Sequence, residues 1–271
     1  MRTRSSDGRS RADKRTRRVE PERRAFRPGL QRARAIKILD VLADTHPDAT
    51  CALHHRNPYE LLTATILSAQ CTDERVNQVT PELFGRYPGA DELARARPAD
   101  LERIIRPTGF FRAKAKSLLG MARALVERHG GEVPRTLAEM VKLPGVGRKT
   151  ASVVIGHAYG VNEGIAVDTH VLRVANRLGI ADSDDPARVE EQLMAMVPRE
   201  RWTQVTDLLI FHGRRICQAR RPLCGQCPVF ALCRWPYRQA YAMGQTVKRP
   251  RAAAARVRAR IATARAVRAR G

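Results

Sequence analysis

The sequence has no run of apolar residues long enough to cross a membrane, since none approaches the ~20 that a membrane-spanning helix needs. Its basic N-terminal segment also lacks the apolar stretch of a secretory signal. These absences favour a cytoplasmic protein that makes no membrane contact. Thiols stay reduced in that compartment, so clustered cysteines indicate a metal site rather than disulfides.

Acidic residues are scarce, with 27 Asp and Glu against 50 Lys and Arg, and the formal net charge is +23. Much of the excess lies at the ends. Residues 1–30 hold eleven basic and four acidic side chains, and residues 241–271 hold nine basic and none acidic. We expect two disordered basic tails, the second rich in Arg and Ala. The charge indicates a polyanionic partner, most simply nucleic acid, although the tails alone could serve solubility.

Alternating strand patterns of useful length are absent, whereas apolar residues recur with helical spacing along the chain between the tails. The segment 57–60 (NPYE) is a helix start, with an N-cap residue, a proline at the first helical position and an acid in the first turn. We therefore predict an all-α fold. Helices are expected from residue 31, over 58–69, and over 99–105, 113–128, 136–142, 148–159, 169–178, 186–196 and 203–216.

Two of these helices, 136–142 and 148–159, are joined by the segment 143–147, which reads LPGVG. Its glycines permit backbone dihedrals that a side chain would forbid, and they let a phosphate backbone approach closely. This pattern is typical of a helix-hairpin-helix, which binds phosphate without reading bases. An ordinary connection between two helices is the alternative. Given the basic charge, we expect DNA contacts from Gly145, Val146, Gly147 and Arg148.

A lysine and an aspartate follow the hairpin at positions 149 and 168. Lys149 lies in the first turn of its helix, where the helix dipole and Arg148 both disfavour the ammonium form. Its amine could attack a sugar carbon, and Asp168 could stabilise the positive charge that results. The alternatives are a solvated surface lysine and an N-cap aspartate for helix 169–178. Capping and catalysis are compatible, because the capped N–H groups keep the carboxylate ionised.

Four of the six cysteines lie close together in the sequence, with the spacing C-x6-C-x2-C-x5-C. Tetrahedral zinc and a [4Fe–4S] cluster are the competing interpretations. Structural zinc sites generally use two short cysteine pairs, and only one short pair is present here. The spacing therefore favours a [4Fe–4S] cluster held by Cys217, Cys224, Cys227 and Cys233.

Together with the segments 67–73 (LSAQCTD) and 167–170 (VDTH), these motifs resemble the endonuclease III family of helix-hairpin-helix DNA glycosylases. The resemblance covers about residues 34–237 and excludes the tails. It implies two domains with DNA in the cleft between them. A six-helix barrel over 52–162 would carry the hairpin, and an iron–sulfur cluster domain would combine 31–51 with 163–240.

The resemblance also implies a bifunctional enzyme that excises oxidised pyrimidines from duplex DNA and cleaves the abasic strand by β-elimination. Lys149 matches the nucleophile that forms a Schiff base, and Asp168 matches the carboxylate that assists it. Gln70 matches the residue that fills the gap left by the flipped base. Phe110 occupies the position of an apolar wedge, where we expect a leucine in the family. The implied protein is a monomer that acts at the nucleoid on duplex DNA with damaged pyrimidines or abasic sites.

Two alternatives stay open. An adenine mismatch glycosylase would share the cluster and Asp168, but it would lack a lysine at position 149 and have a glutamate near Thr65. A non-enzymatic DNA-binding protein would use the hairpin and the cluster only for docking. A reducible covalent adduct with damaged DNA would distinguish these alternatives from the bifunctional enzyme.

Overall fold

A computed structural model describes residues 28–245 of the chain. Within this range the regular structure is helical and includes no β-strand, which confirms the predicted all-α fold. The α-helices are α1 (Pro28–Thr45), α2 (Pro58–Leu67), α3 (Asp73–Arg86), α4 (Ala90–Ala94), α5 (Pro98–Ile105), α6 (Phe111–His129), α7 (Leu137–Met140), α8 (Arg148–Tyr159), α9 (Thr169–Leu178), α10 (Pro186–Met194), α11 (Trp202–Arg215) and α12 (Arg238–Ala242).

Helices α3, α4 and α12 are absent from the sequence-based predictions. In α3, Pro81 lies in the interior of a continuous helix, where proline is unfavourable because it removes a backbone donor. The helix forms nonetheless, since its N-cap Thr72 accepts a hydrogen bond from the Arg75 N–H (3.2 Å) and one face buries Val76 and Leu83. Tertiary burial outweighs local propensity here.

The predicted tails lie mostly outside the described residues, and only their inner ends are described. Helix α1 begins with Pro28 at its first position, inside the segment expected to be disordered. At the other end, Tyr241 belongs to α12 and stacks on Trp235 with ring centroids 5.1 Å apart. Both tail boundaries were therefore predicted a few residues too far into the folded part.

Buried apolar side chains form two clusters. The first runs from Leu53 to Ile155 and combines side chains from α2 to α6 with others from α7 and α8. The second combines α1 with residues from Ile165 to Val229, which include α9, α10 and α11. The N-terminal helix thus packs with the C-terminal half of the chain, against α11.

Helices α8 and α11 lie against each other where the two clusters meet. Gly156 makes this contact possible, because a side chain there would collide with the Thr203 hydroxyl. Helix α2 also packs against α8. These three helices surround the cavity described below. No helix within residues 28–245 has both the length and the apolar character needed to span a membrane.

Candidate active site

The connection between α7 and α8 is a tight turn that packs against Ser117 of α6. Gly145 has φ +78°, and a Cβ at this position would lie 2.5 Å from the Cβ of Ser117 on α6. Val146 is buried, and its N–H donates to the carbonyl of Leu143 (3.1 Å). The side chain of Val146 therefore anchors the turn, and its backbone N–H is already used inside the turn, so the predicted contact of Val146 with DNA stays a prediction. Gly147 is exposed and has open space around it.

Arg148 pairs with an acid on another helix. Its Nε and Nη2 each donate to a carboxylate oxygen of Glu190 on α10, at 2.9 Å. The hydrogen bonds with Glu190 raise the pKa of Arg148. Gly164 leaves room for the pair, because a Cβ there would lie 2.5 Å from Glu190 Oε1. The guanidinium thus links the start of α8 to α10. The predicted contact of Arg148 with DNA stays a prediction.

Lys149 and Asp168 line one cavity of about 330 Å³. Lys149 is exposed in the first turn of α8. Asp168 is the N-cap of α9, where its Oδ1 accepts the N–H groups of His170 (2.7 Å) and Val171 (2.8 Å). Capping fixes the carboxylate at the cavity wall. Gln70, the predicted gap-filling residue, also lines the cavity.

Five further charged or titratable side chains line the cavity, and none of them is a predicted site residue: Cys51, Asp73, His157, Asp207 and Arg214. His157 Nε2 lies 3.3 Å from Asp207 Oδ1, with both side chains mostly buried. Arg214 donates to Asp73 Oδ2 (2.7 Å) and joins α11 to the start of α3. His157 follows Lys149 by two helical turns, a spacing that places both near one helix face and could have indicated it. No local pattern marks Asp207.

Gln70 and Phe110 share an uncommon backbone conformation. Among the non-glycine residues of 28–245, only these two have positive φ angles, +55° and +48°. Phe110 precedes α6 and is 68% exposed, which is unusual for an aromatic side chain without a covering partner. It lies outside the cavity lining. An exposed apolar side chain on a fixed backbone is suited to insertion between bases.

The four clustered cysteines line one pocket together with Arg177, whose Nη1 lies 3.4 Å from the Cys217 sulfur. Burial raises the pKa of Cys227 to about 12 and also raises that of Cys224 and Cys233. Buried thiolates therefore need a bound cationic centre. Within residues 28–245 no three Cys, His, Asp or Glu side chains converge closely enough for one metal ion. Four cysteine sulfurs around one pocket are the donor set that a [4Fe–4S] cluster takes.

Comparison with known proteins is consistent with this site. A family profile described as HhH-GPD superfamily base excision DNA repair protein matches residues 63–199, and the iron-sulfur binding domain of endonuclease III matches residues 217–233. The endonuclease III of Synechocystis sp. is 50% identical over 203 residues, which are 75% of this chain and 93% of the relative. The chain belongs to the endonuclease III family. It carries the iron–sulfur binding domain, and its cofactor is a [4Fe–4S] cluster.

Two further similarities support the assignment to the endonuclease III family. The endonuclease III of Bacillus subtilis is 48% identical over 197 residues, 72% of this chain and 90% of the relative. A solved structure described as a trapped endonuclease III–DNA covalent intermediate has a TM-score of 0.71 and 46% identity, and covers 75% of this chain and 95% of its own. As a family member, this chain is a DNA glycosylase with abasic-site lyase activity that acts in base excision repair. The predicted family, fold, activity and cofactor are confirmed.

Proposed function

We propose that this endonuclease III family member removes oxidised pyrimidines from duplex DNA through a covalent intermediate on Lys149. One observation carries the proposal. Lys149 and Asp168, which are far apart in the sequence, line the same cavity. A cavity of about 150 Å³ already holds a benzene-sized ring. The cavity here, at about 330 Å³, has room for a pyrimidine and part of its sugar.

The damaged nucleotide leaves the base stack and enters the cavity, because the glycosidic bond is shielded inside the duplex. The neutral amine of Lys149 attacks C1′ of the sugar, and a new C–N bond forms while the bond to the base breaks. The base departs with the electron pair and takes up a proton. Asp168, whose carboxylate is held in place by its capping hydrogen bonds, stabilises the positive charge on the sugar and accepts a proton from the lysine.

The C1′–O4′ bond then breaks, O4′ takes up the proton that Asp168 had accepted, and the open sugar forms a protonated Schiff base between C1′ and Lys149. The imine withdraws electrons, so a proton is lost from C2′ and the C3′–O bond breaks with the phosphate as leaving group. This β-elimination cleaves the strand on the 3′ side of the lesion. Water hydrolyses the imine and regenerates the amine.

The hairpin and the two inserting residues have separate proposed roles. Gly145 and Gly147 are exposed, and their backbone N–H groups are proposed to hold a phosphate near Lys149. Gln70 fills the space left by the flipped base, and Phe110 enters the stack as a wedge. The ion pair with Glu190 fixes Arg148, whose exposed edge faces the DNA backbone.

The proposed domains are a barrel over 52–162 and a cluster domain over 31–51 plus 163–240, and the two apolar clusters support this division. Cys217, Cys224, Cys227 and Cys233 would hold the [4Fe–4S] cluster, which supplies a rigid anchor for four thiolates. The protein acts as a monomer at the nucleoid in the cytoplasm. Its substrate is duplex DNA with a damaged pyrimidine or an abasic site.

The rival adenine mismatch activity receives no support from the cavity. Thr65 stands where that activity would need a carboxylate, and its hydroxyl donates to the Leu61 carbonyl in its own helix (2.7 Å). Pure docking is likewise disfavoured, because a docking protein needs no cavity behind its lysine.

Single-turnover incision of labelled duplexes tests the proposal. One duplex carries thymine glycol, a second carries adenine opposite 8-oxoguanine, and a third is undamaged. We expect incision only at thymine glycol, with the product of β-elimination. Release of adenine with an intact strand would contradict the proposal and favour the mismatch enzyme.

A further inference from the structure

Gln70 and Phe110 lie in two separate segments, one after α2 and one before α6, although both are proposed to enter the same DNA site. Both have positive φ angles, which residues with a side chain rarely adopt. Such a backbone persists only where the surrounding structure holds it in place. The contacts that hold these two segments therefore decide where the inserting side chains lie.

One buried lysine joins the two segments. Lys114, on the first turn of α6, is 5% exposed. Its ammonium donates to the carbonyl of Leu67 (2.7 Å) at the end of α2 and to the carbonyl of Thr108 (2.8 Å). Leu67 lies three residues before Gln70, and Thr108 lies two residues before Phe110.

Further hydrogen bonds stiffen each segment around this link. The N–H of Lys114 donates to the carbonyl of Phe110 (3.1 Å), and the buried hydroxyl of Thr108 donates to the carbonyl of Ile105 (2.8 Å). On the other side, the N–H of Cys71 donates to the carbonyl of Ser68 (3.1 Å). The ammonium of Lys114 thus directly links the turn after α2 to the turn before α6, and each turn also has hydrogen bonds of its own.

A buried ammonium is an uncommon way to stabilise a core, because it loses its hydration. Burial lowers the pKa of Lys114 for this reason. An apolar side chain of similar length would fill the volume without that penalty, but it could not bond two carbonyls at once. What the ammonium provides is a fixed geometry between the two turns.

We propose that Lys114 is a positioning residue that holds Gln70 and Phe110 at a fixed separation, so that they enter the duplex as one unit. The proposal rests on the DNA roles proposed above for these two residues. It follows that Lys114 matters where a paired base must be extruded and replaced. It does not matter for the reaction of Lys149 with an abasic site in a single strand, which has no stack to open.

The test compares Lys114→Met with Lys116→Met, which removes the same charge from an exposed position of α6. Each is made in the wild type and in the double variant Gln70→Ala/Phe110→Ala. Two single-turnover readouts are used: incision of a thymine glycol duplex, and borohydride trapping on a single-stranded abasic oligonucleotide. Because small misplacements of positioning groups can cost about 100-fold in rate, we expect Lys114→Met to slow duplex incision by about 10- to 100-fold.

The same change should leave trapping on the single strand within about twofold, and Lys116→Met should leave both readouts within about twofold, as expected for surface changes. In the Gln70→Ala/Phe110→Ala background, Lys114→Met should add less than about threefold, because residues acting as a unit are not additive. The proposal would be overturned if Lys114→Met slowed duplex incision in the double-variant background as much as it does in the wild type. It would also be overturned if the Lys114→Met protein incised the duplex at the wild-type rate. Equal loss on both substrates would show general damage to the fold and also overturn it.

If Lys114→Met does not fold, the deciding measurement is made with Lys114 intact, by comparing Gln70→Ala, Phe110→Ala and the double variant. Gln70→Ala and Phe110→Ala should then combine to less than the product of their separate effects on duplex incision, since they act together. Strict multiplication would contradict the proposal. If the wild type forms no adduct with the abasic strand, the proposed function itself fails, and the role of Lys114 fails with it.

Discussion

Replacement of Gly145 by alanine tests whether the hairpin turn has the geometry described above. The new Cβ would force an alanine into φ +78°, a left-handed conformation that costs a residue with a side chain about 1–2 kcal/mol. The Cβ would also lie 2.5 Å from Ser117 Cβ and 2.8 Å from its Oγ. Overpacking of this kind costs about 1–3 kcal/mol. We therefore expect Gly145→Ala to lower the free energy of unfolding by about 2–4 kcal/mol, part of the clash being relieved by relaxation.

Denaturant unfolding followed by circular dichroism measures this loss, and the chain offers a matched control. Gly147 has φ −90° and no atom within 4 Å of an added Cβ. Gly147→Ala meets no clash and changes only the N-cap residue of α8, so it should cost less than about 1 kcal/mol. A second comparison separates the two causes. In a Ser117→Gly background the clash is removed, so Gly145→Ala should cost only the backbone share of about 1–2 kcal/mol.

The reasoning would be refuted if Gly145→Ala were as stable as Gly147→Ala. The steric part of the reasoning would be refuted if Gly145→Ala lowered the free energy of unfolding equally in the wild type and in the Ser117→Gly background. The clash with Ser117 would then contribute nothing to the loss. A loss that falls by about half in the Ser117→Gly background is the expected coupling.

Three further predictions concern individual side chains. Asp168→Asn should keep stability within about 0.5 kcal/mol, because asparagine caps as well as aspartate, yet should abolish incision; unchanged incision would remove Asp168 from the mechanism. Arg148→Ala should lower the free energy of unfolding by about 1 kcal/mol through loss of the Glu190 pair, and an unchanged midpoint would contradict this. Burial raises the pKa of Cys51 to about 11, so native Cys51 should resist iodoacetamide at pH 8 and react increasingly towards pH 11, as mass spectrometry of its peptide can show.

Local signals predicted much of this fold. The helix start at Asn57 and the cap at Asp168 appear as predicted, because a cap depends on neighbouring residues alone. The hairpin turn is equally local. Helix α3 is the counterexample, since Pro81 opposes it locally and burial of distant partners decides the outcome.

Side-chain partners on different helices are the part of the site that the sequence does not reveal. Arg148 is committed to Glu190, and His157 to Asp207, through contacts that depend on how α8, α10 and α11 pack. The two carbonyl partners of Lys114 belong to the backbone and leave no mark in the sequence.

Borohydride trapping on a thymine glycol duplex tests the central claim most directly. The wild type is compared with Lys149→Ala and with Lys142→Ala, a nearby exposed lysine that does not line the cavity. We predict a covalent complex for the wild type and Lys142→Ala and none for Lys149→Ala, although all three bind DNA and retain the cluster. A complex of undiminished yield with Lys149→Ala would show that another amine attacks the sugar, and would contradict the account.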